Sequence, residues 1–100
     1  MIMKIYEKDI IELICREYSI SEDEFYSNFK YGSLPEARQL YCLVLKSLVM
    51  RNMDIADITG FSRPRVTQLI NTAVKLMDSI PYFKQKHDII VNKILNSESK

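Results

Sequence analysis

The residues that could do chemistry are concentrated in residues 54–71, which read DIADITGFSRPRVTQLIN. Two helices that cross steeply through a three-residue turn need a small residue at their contact, a turn residue that tolerates positive φ, and apolar residues on the second helix. Ala56, Gly60 and Val66 have the spacing that meets these requirements, and Leu69 continues the apolar side. The segment therefore predicts a helix-turn-helix motif. Two ordinary helices separated by a glycine stop are the alternative.

The second helix of this motif is expected to have a polar outward face. When its apolar stripe is buried, the rotation of about 100° per residue turns the polar side chains outward. The stripe consists of Val66, Leu69, Ile70, Ala73 and Met77. The outward face consists of Pro64, Arg65, Thr67, Gln68, Asn71, Thr72 and Lys75. It has no Asp or Glu, and arginine and amide groups can form bidentate hydrogen bonds with guanine and adenine. The face predicts DNA contacts, although a solvated surface position explains any single residue equally well.

The charges are distributed unevenly along the chain. The 14 Lys and Arg residues and 13 Asp and Glu residues give a net charge of +1, which alone indicates no polyanionic partner. Residues 1–37 have a net charge of −4, whereas residues 38–100 have a net charge of +5. A polyanion is therefore expected to meet the C-terminal part.

No pattern in the sequence indicates an enzyme. The chain has no glycine-rich phosphate loop, no HExxH, and no Cys or Ser near a plausible base. His87 is expected to be a surface or partly buried residue, and the acids at 22–24 a helix N-terminus. Cys15 and Cys42 lie in apolar runs without CxxC spacing, which indicates reduced core residues. We expect no catalytic residue, no metal and no cofactor.

The sequence gives no indication of a membrane segment. The longest apolar stretch, residues 40–50, is about half the length of a bilayer span and contains Lys46. The first residues lack the features of a signal peptide. We expect a cytoplasmic protein without membrane contact.

Composition and periodicity predict one all-α domain. With 47% hydrophobic residues, 2 Gly and 3 Pro in 100 residues, helices are favoured over a turn-rich β fold. Apolar spacing predicts six helices, with a polar, frayed tail at 96–100. Capping boxes are expected at residues 21–24 and 33–36, and single N-caps at Asn52, Ser62 and Ser79. The expected boundaries include 7–18 for the first helix, 53–59 for the fourth and 63–77 for the fifth, and the centre of the core is expected in the third.

The order of these elements resembles a known family. The segments KDIIELICREYSISEDEFYS, ARQLYCLVLKSL and DIADITGFSRPRVTQLINTAVKLM, followed by a closing helix, are similar to the C-terminal DNA-binding domain of the bacterial replication initiator DnaA. The resemblance covers residues 8–95 and implies a Trp-repressor-like helix-turn-helix fold. The family's Gly-Gly-Arg-Asp-His-Ser-Thr-Val signature is replaced by residues 60–66, GFSRPRV. We expect a stand-alone domain over residues 1–100, without the ATPase domain.

The resemblance also implies a role for Arg38, which matches the family's Ala-Arg-Gln opening of the long helix and would contact the DNA backbone or minor groove. From the residues alone, Arg38 is a base near a helix N-terminus. The outward face predicts major-groove contacts by Arg63, Arg65, Thr67, Gln68 and Asn71. Contacts with phosphates are expected from Arg38, Arg51, Ser62 and Lys75.

The leading hypothesis is a small, sequence-specific protein that binds double-stranded DNA in a bacterium or its mobile elements, as a transcriptional regulator or accessory replication factor. The alternative is a protein-protein interaction module that keeps the fold and does not bind DNA. The acidic N-terminal half and the near-neutral total charge favour that alternative. The acid-free face of the second turn helix opposes it. A homodimer or a complex with a replication or transcription protein is compatible with either hypothesis.

Overall fold

A computed structural model describes the backbone of residues 2–48 and 50–98 and the side chains of residues 8–48 and 50–96. The helices are α1 (Ile2–Tyr18), α2 (Glu22–Tyr26), α3 (Leu34–Ser47), α4 (Asn52–Thr59), α5 (Arg63–Ser79) and α6 (Pro81–Glu98). Within these described ranges there is no strand. The prediction of an all-α class with six helices is confirmed. The radius of gyration is 12.6 Å, close to the roughly 13 Å expected for one compact domain of this length.

The two predicted capping boxes have different outcomes. At the start of α2, the Ser21 hydroxyl accepts from the Glu24 amide and the Glu24 carboxylate accepts from the Ser21 amide, each at 3.0 Å, so the first box is confirmed. The second box is wrong, because the Ser33 side chain makes no capping bond. The Glu36 carboxylate accepts instead from the hydroxyls of Tyr18 and Tyr82, on α1 and α6.

Several helix boundaries differ from the predictions. The first residue of α4 is Asn52, so its N-cap is Arg51, whose amide donates to Asp54 Oδ2 at 3.3 Å. Ser79 is the last residue of α5 and cannot cap α6, which begins after Ile80. The first helix starts at Ile2 rather than at residue 7.

The third helix is the centre of the core, as predicted. It contacts each of the other five helices. Its fully buried apolar residues are Leu34, Ala37, Leu40, Tyr41, Cys42, Val44 and Leu45. Both cysteines are buried and unbridged, as expected of core residues. Burial raises the pKa of the Cys42 thiol to about 12.

No helix in the described ranges is long and apolar enough to span a bilayer.

Candidate nucleic-acid interface

The turn between α4 and α5 is built around Gly60. Its φ of +80° lies in the left-handed region, and its amide donates to the Ala56 carbonyl at 2.9 Å, which ends α4. Two residues later, the Ser62 hydroxyl accepts from the Arg65 amide at 3.3 Å and caps α5. The positive φ and the Ser62 cap were both predicted from the sequence, and both are confirmed.

Two residues that sequence reasoning missed also fix this turn. The Thr59 hydroxyl donates to the Ile55 carbonyl at 2.8 Å and accepts from the Phe61 amide at 3.1 Å. The Phe61 side chain is buried, and its ring centroid lies 6.3 Å from that of Phe25 on α2. The sequence feature that could have indicated this contact is Phe61, an aromatic residue directly after the turn glycine. The turn is thus tied to the core on both sides of Gly60.

The orientation of α5 follows from its apolar stripe. Val66, Ile70 and Ala73 are buried, and Leu69 is half-buried against the core. The side chains on the other side are exposed, namely those of Arg63, Pro64, Thr67, Gln68, Asn71 and Lys75, together with Ser62 at the cap. Arg65 and Thr72 are half-buried. The predicted orientation of the helix is therefore confirmed, whereas contact with DNA stays a prediction.

The exposed face of α5 is free of negative charge from Arg63 to Met77. The first carboxylate along α5 is that of Asp78, near its C-terminal end. The same surface includes Val74, which is 48% exposed and could contact an apolar group such as a thymine methyl. A polyanion approaching this face therefore meets no repulsive charge from α5 before its last turn.

Asn52, the first residue of α4, also contacts the exposed face of α5. The Asn52 amide nitrogen donates to the Thr67 hydroxyl at 3.2 Å, and its amide oxygen accepts from Lys46 Nζ at 3.0 Å. Asn52 was expected to cap α4, and it links α3, α4 and α5 instead. Thr67 is thereby held in place, although its side chain is exposed.

The position of Arg38 corrects the expectation of an open phosphate-binding side chain. The residue is only 1% exposed. Its Nε donates to the Phe25 carbonyl at 2.9 Å, and its Nη2 donates to the carbonyls of Glu24 and Ser27 at 3.2 and 3.0 Å. The Glu24 carbonyl also accepts from the Ser27 amide at 3.2 Å and from the Ser27 hydroxyl at 2.6 Å, so Arg38 adds to that cap and supplies a donor to the Phe25 and Ser27 carbonyls. Most of the guanidinium is therefore engaged in holding α2 against α3.

Arg51 is exposed but already paired. Its Nε lies 3.0 Å from Asp54 Oδ2, and this contact lowers the pKa of the Asp54 carboxyl and raises the pKa of Arg51. An exposed ion pair of this kind contributes little to stability. It does reduce the positive charge that Arg51 can offer to a phosphate.

A contact that was not predicted joins α3 to α6. Ser47 Oγ lies 2.8 Å from His87 Nε2, and His87 Nδ1 lies 3.0 Å from Asp88 Oδ1. The contact contradicts the expectation that no Ser lies near a plausible base. Ser47 is, however, the last residue of α3, where free carbonyls point outward and disfavour an oxyanion. We interpret the contact as a polar link between two helices.

Among the residues that the structure describes, no group of three or more His, Cys, Asp or Glu side chains could hold a metal ion.

Comparison with known proteins gives no relative on which to base a function. No protein-family model matches the chain, and neither a curated protein nor a solved structure matches it. The resemblance to the initiator domain accordingly stays a prediction from the sequence.

Proposed function

We propose that the chain is a helix-turn-helix protein that binds duplex DNA through the exposed face of α5, with the Trp-repressor-like arrangement that the resemblance implies. One observation carries the proposal. A helix firmly anchored by Val66, Ile70 and Ala73 presents arginine, amide and hydroxyl groups to solvent, with no carboxylate before Asp78. No catalytic residue, metal or cofactor is part of the proposal.

The dimensions of α5 suit the major groove. From Arg63 to Lys75 the helix is about 18 Å long, and the major groove of B-DNA, about 12 Å wide, admits an α-helix. In this proposal the base contacts come from Arg63, Arg65, Thr67, Gln68 and Asn71. Ser62 and Lys75, at the two ends of the face, would meet phosphates, with a smaller contribution from Arg51 because of its ion pair.

The small number of cations on this surface predicts a modest, salt-dependent affinity for random duplex. The two cations assigned to phosphates, Lys75 and Arg51, give a slope of log K against log salt of about −2, so that binding to random duplex is modest and weakens as salt rises. A regulator or an accessory replication factor with this surface would depend on base contacts for its affinity in the cell.

A fluorescence anisotropy titration tests the proposal. A labelled random duplex is titrated with the full chain at low salt and again at higher salt. Saturable binding in the micromolar range, weakened by salt, is the expected result. Absence of saturable binding at low salt would refute DNA binding.

A protein interaction module is the second candidate, and two exposed aromatic side chains favour it. Phe29 and Tyr31, in the loop before α3, are 57% and 55% exposed, and their ring centroids lie 5.4 Å apart. Exposed aromatic residues are enriched at protein interfaces. A chain without affinity for duplex in the titration above would support this candidate.

A further inference from the structure

Two exposed aromatic side chains and a carboxylate form a small surface at α2 and the loop that follows it. Phe29 and Tyr31 are each more than half exposed, and their ring centroids lie 5.4 Å apart. The Tyr31 hydroxyl donates to Glu24 Oε2 at 3.2 Å, which attaches the two rings to α2. These three residues are called the aromatic patch below.

The carboxylate of this patch is held in place and keeps its charge. Glu24 Oε1 accepts from the Ser21 amide at 3.0 Å and from the Ser21 hydroxyl at 3.3 Å. The bond from the Ser21 amide, together with those from the hydroxyls of Tyr31 and Ser21, lowers the pKa of the Glu24 carboxyl. Glu22 and Asp23 add two exposed carboxylates in the same turn of α2, and neither takes part in an ion pair among the described residues. The surface is therefore both aromatic and negatively charged.

The protein's own cations lie elsewhere. Lys30 stands between Phe29 and Tyr31 in the chain, but it lines the cavity between this loop and α5, to which neither aromatic residue belongs. The cation-π contacts found within the described part of the chain involve other rings, namely those of Phe61, Tyr18 and Tyr82. The aromatic patch thus attracts a cation that the described residues do not supply.

The same combination of groups occurs a second time in this protein, with a cation added. The Tyr82 hydroxyl donates to Glu36 Oε1 at 3.1 Å, as that of Tyr31 does to Glu24. Lys86 Nζ lies 4.0 Å from Glu36 Oε2 and 5.0 Å from the centroid of the Tyr82 ring. A tyrosine bonded to a carboxylate therefore binds a cation through the ring face and the carboxylate together.

From this geometry we infer that the aromatic patch is a docking site for an arginine side chain on an exposed segment of a partner protein. A guanidinium can stack on a ring face and form two hydrogen bonds with a carboxylate, and it is weakly hydrated. Arginine and tyrosine are also enriched among the residues that contribute most to the affinity of protein interfaces. A nucleic acid is a poorer occupant, because its phosphates would meet the carboxylates of Glu22, Asp23 and Glu24.

The inference rests on the second candidate function, since it uses the same two aromatic residues and adds the chemistry of their partner. It does not require α5 to bind duplex. Phe29 and Tyr31 lie outside α5, so one chain can bind duplex through α5 and a partner through the aromatic patch.

The test uses three matched peptides. The first is acetyl-Gly-Arg-Ala-Arg-Gly-amide, and the other two have lysine or citrulline in place of both arginines. Citrulline keeps the planar shape without the charge, whereas lysine keeps the charge without the plane. Each peptide is titrated into the ¹⁵N-labelled full chain at constant ionic strength, and the backbone amide resonances of residues 22–31 are followed.

The arginine peptide should give saturable shifts with a dissociation constant on the order of 1 mM. The lysine peptide should bind more weakly, and the citrulline peptide roughly tenfold more weakly. Absence of saturable shifts with the arginine peptide would overturn the inference. Equal affinities of the arginine and citrulline peptides would also overturn it, because they would show stacking without a role for the charge.

Two variants and a control locate the site. Phe29→Ser should weaken binding of the arginine peptide by roughly threefold to tenfold through the loss of a ring face. Tyr31→Phe keeps its ring but releases the Glu24 carboxylate, and a smaller loss is expected. Ile89→Ser removes a similarly exposed apolar side chain from α6 and should leave binding unchanged. Equal affinities in Phe29→Ser and Ile89→Ser would overturn the inference.

Two further measurements examine the other possible occupants. Oligothymidylate replaces the peptide in one titration, and sedimentation of the chain alone measures self-association. Saturable shifts of residues 29 and 31 with oligothymidylate but not with the arginine peptide would overturn the inference in favour of a single strand. A dimer that Phe29→Ser dissociates would overturn it in favour of a second copy of the chain.

Duplex titrations separate this inference from the proposed DNA binding. Phe29→Ser and Ile89→Ser are both expected to bind duplex with wild-type affinity. Peptide binding by a chain without affinity for duplex would refute DNA binding and support the docking site. Duplex binding without peptide binding would support DNA binding and overturn the docking site.

Discussion

The Nε of Arg38 donates to the carbonyl of Phe25 at 2.9 Å, across the contact between α3 and α2. A charged side chain that is 1% exposed is normally costly, and here the cost is offset by hydrogen bonds to three backbone carbonyls at the C-terminal end of α2. The contact fixes α2 and the following loop relative to α3.

Replacing Arg38 should therefore destabilise the protein. Arg38→Met removes three hydrogen bonds and takes the Arg38 donor away from the Phe25 and Ser27 carbonyls, with an expected loss of about 2 to 4 kcal/mol of unfolding free energy. Arg38→Lys should recover only part of this, because an ammonium cannot reproduce the planar fork. Urea unfolding followed by circular dichroism measures both. An Arg38→Met variant as stable as the wild type would contradict the structural role.

The turn glycine should be replaceable only at a cost. A Cβ at Gly60 would meet no heavy atom within 4 Å, so the whole penalty comes from its φ of +80°. We expect Gly60→Ala to lose about 1 to 2 kcal/mol and Gly60→Asn to lose less, because asparagine tolerates the left-handed region better. Urea unfolding at neutral pH compares the two. Equal stability of Gly60→Ala and the wild type would show that this φ is not required in solution.

The two serines at helix starts form a matched pair. Ser62 caps α5 through the Arg65 amide, whereas the Ser33 side chain makes no capping bond at α3. Ser62→Ala is expected to cost about 1 kcal/mol and Ser33→Ala close to nothing. The difference between their unfolding midpoints is the measurement. Equal losses in the two variants would refute the assignment of the caps.

Stability should fall at alkaline pH through the buried thiols. Burial, with the charges of Glu22 and Glu24, raises the pKa of Cys15 from 9.0 to about 11. Between pH 9.0 and about 11 the unfolded chain has therefore lost this proton while the folded chain retains it. The unfolded state binds fewer protons there. The contribution of Cys15 to the unfolding free energy is therefore fully present below this range and is lost as pH rises through it.

The variant Cys15→Ala should flatten that decrease. Part of the slope should remain, because burial also raises the pKa of Cys42 and, together with the Glu36 carboxylate, the pKa of Tyr18. Ile11→Val, at a buried position on α1, should lower stability by a similar amount at every pH without changing the slope. The measurement is urea unfolding from about pH 8 to pH 11. A Cys15→Ala slope equal to that of the wild type would contradict the prediction.

Local chemistry explains which parts of the fold were predictable from the sequence. The Gly60 turn, the Ser21 box and the buried stripe of α5 each depend on residues within a few positions of one another, so their spacing reveals them. The prediction of a second box at residues 33–36 was wrong because the Glu36 carboxylate accepts from Tyr18 on α1 and Tyr82 on α6. No local sequence pattern indicates these two contacts.

Distant contacts account for the parts of the candidate site that the sequence did not reveal. Arg38 bonds to carbonyls that are 11 to 14 residues away, and His87 contacts Ser47 from 40 residues away. Only the packing of α2, α3 and α6 brings these groups together. The exposed face of α5 was predictable because helical periodicity alone determines it, once the buried side is known.

The most direct test of DNA binding through α5 is a duplex titration of Arg65→Glu combined with Gln68→Ala. The matched control is Lys84→Glu combined with Gln85→Ala, which makes the same changes at exposed positions of α6. Circular dichroism should show both double variants to be helical and cooperatively folded. We predict that the α5 variant loses binding by roughly a hundredfold or more, through two lost contacts and one repulsive charge, while the α6 control loses far less. Wild-type affinity in the folded α5 variant would contradict it.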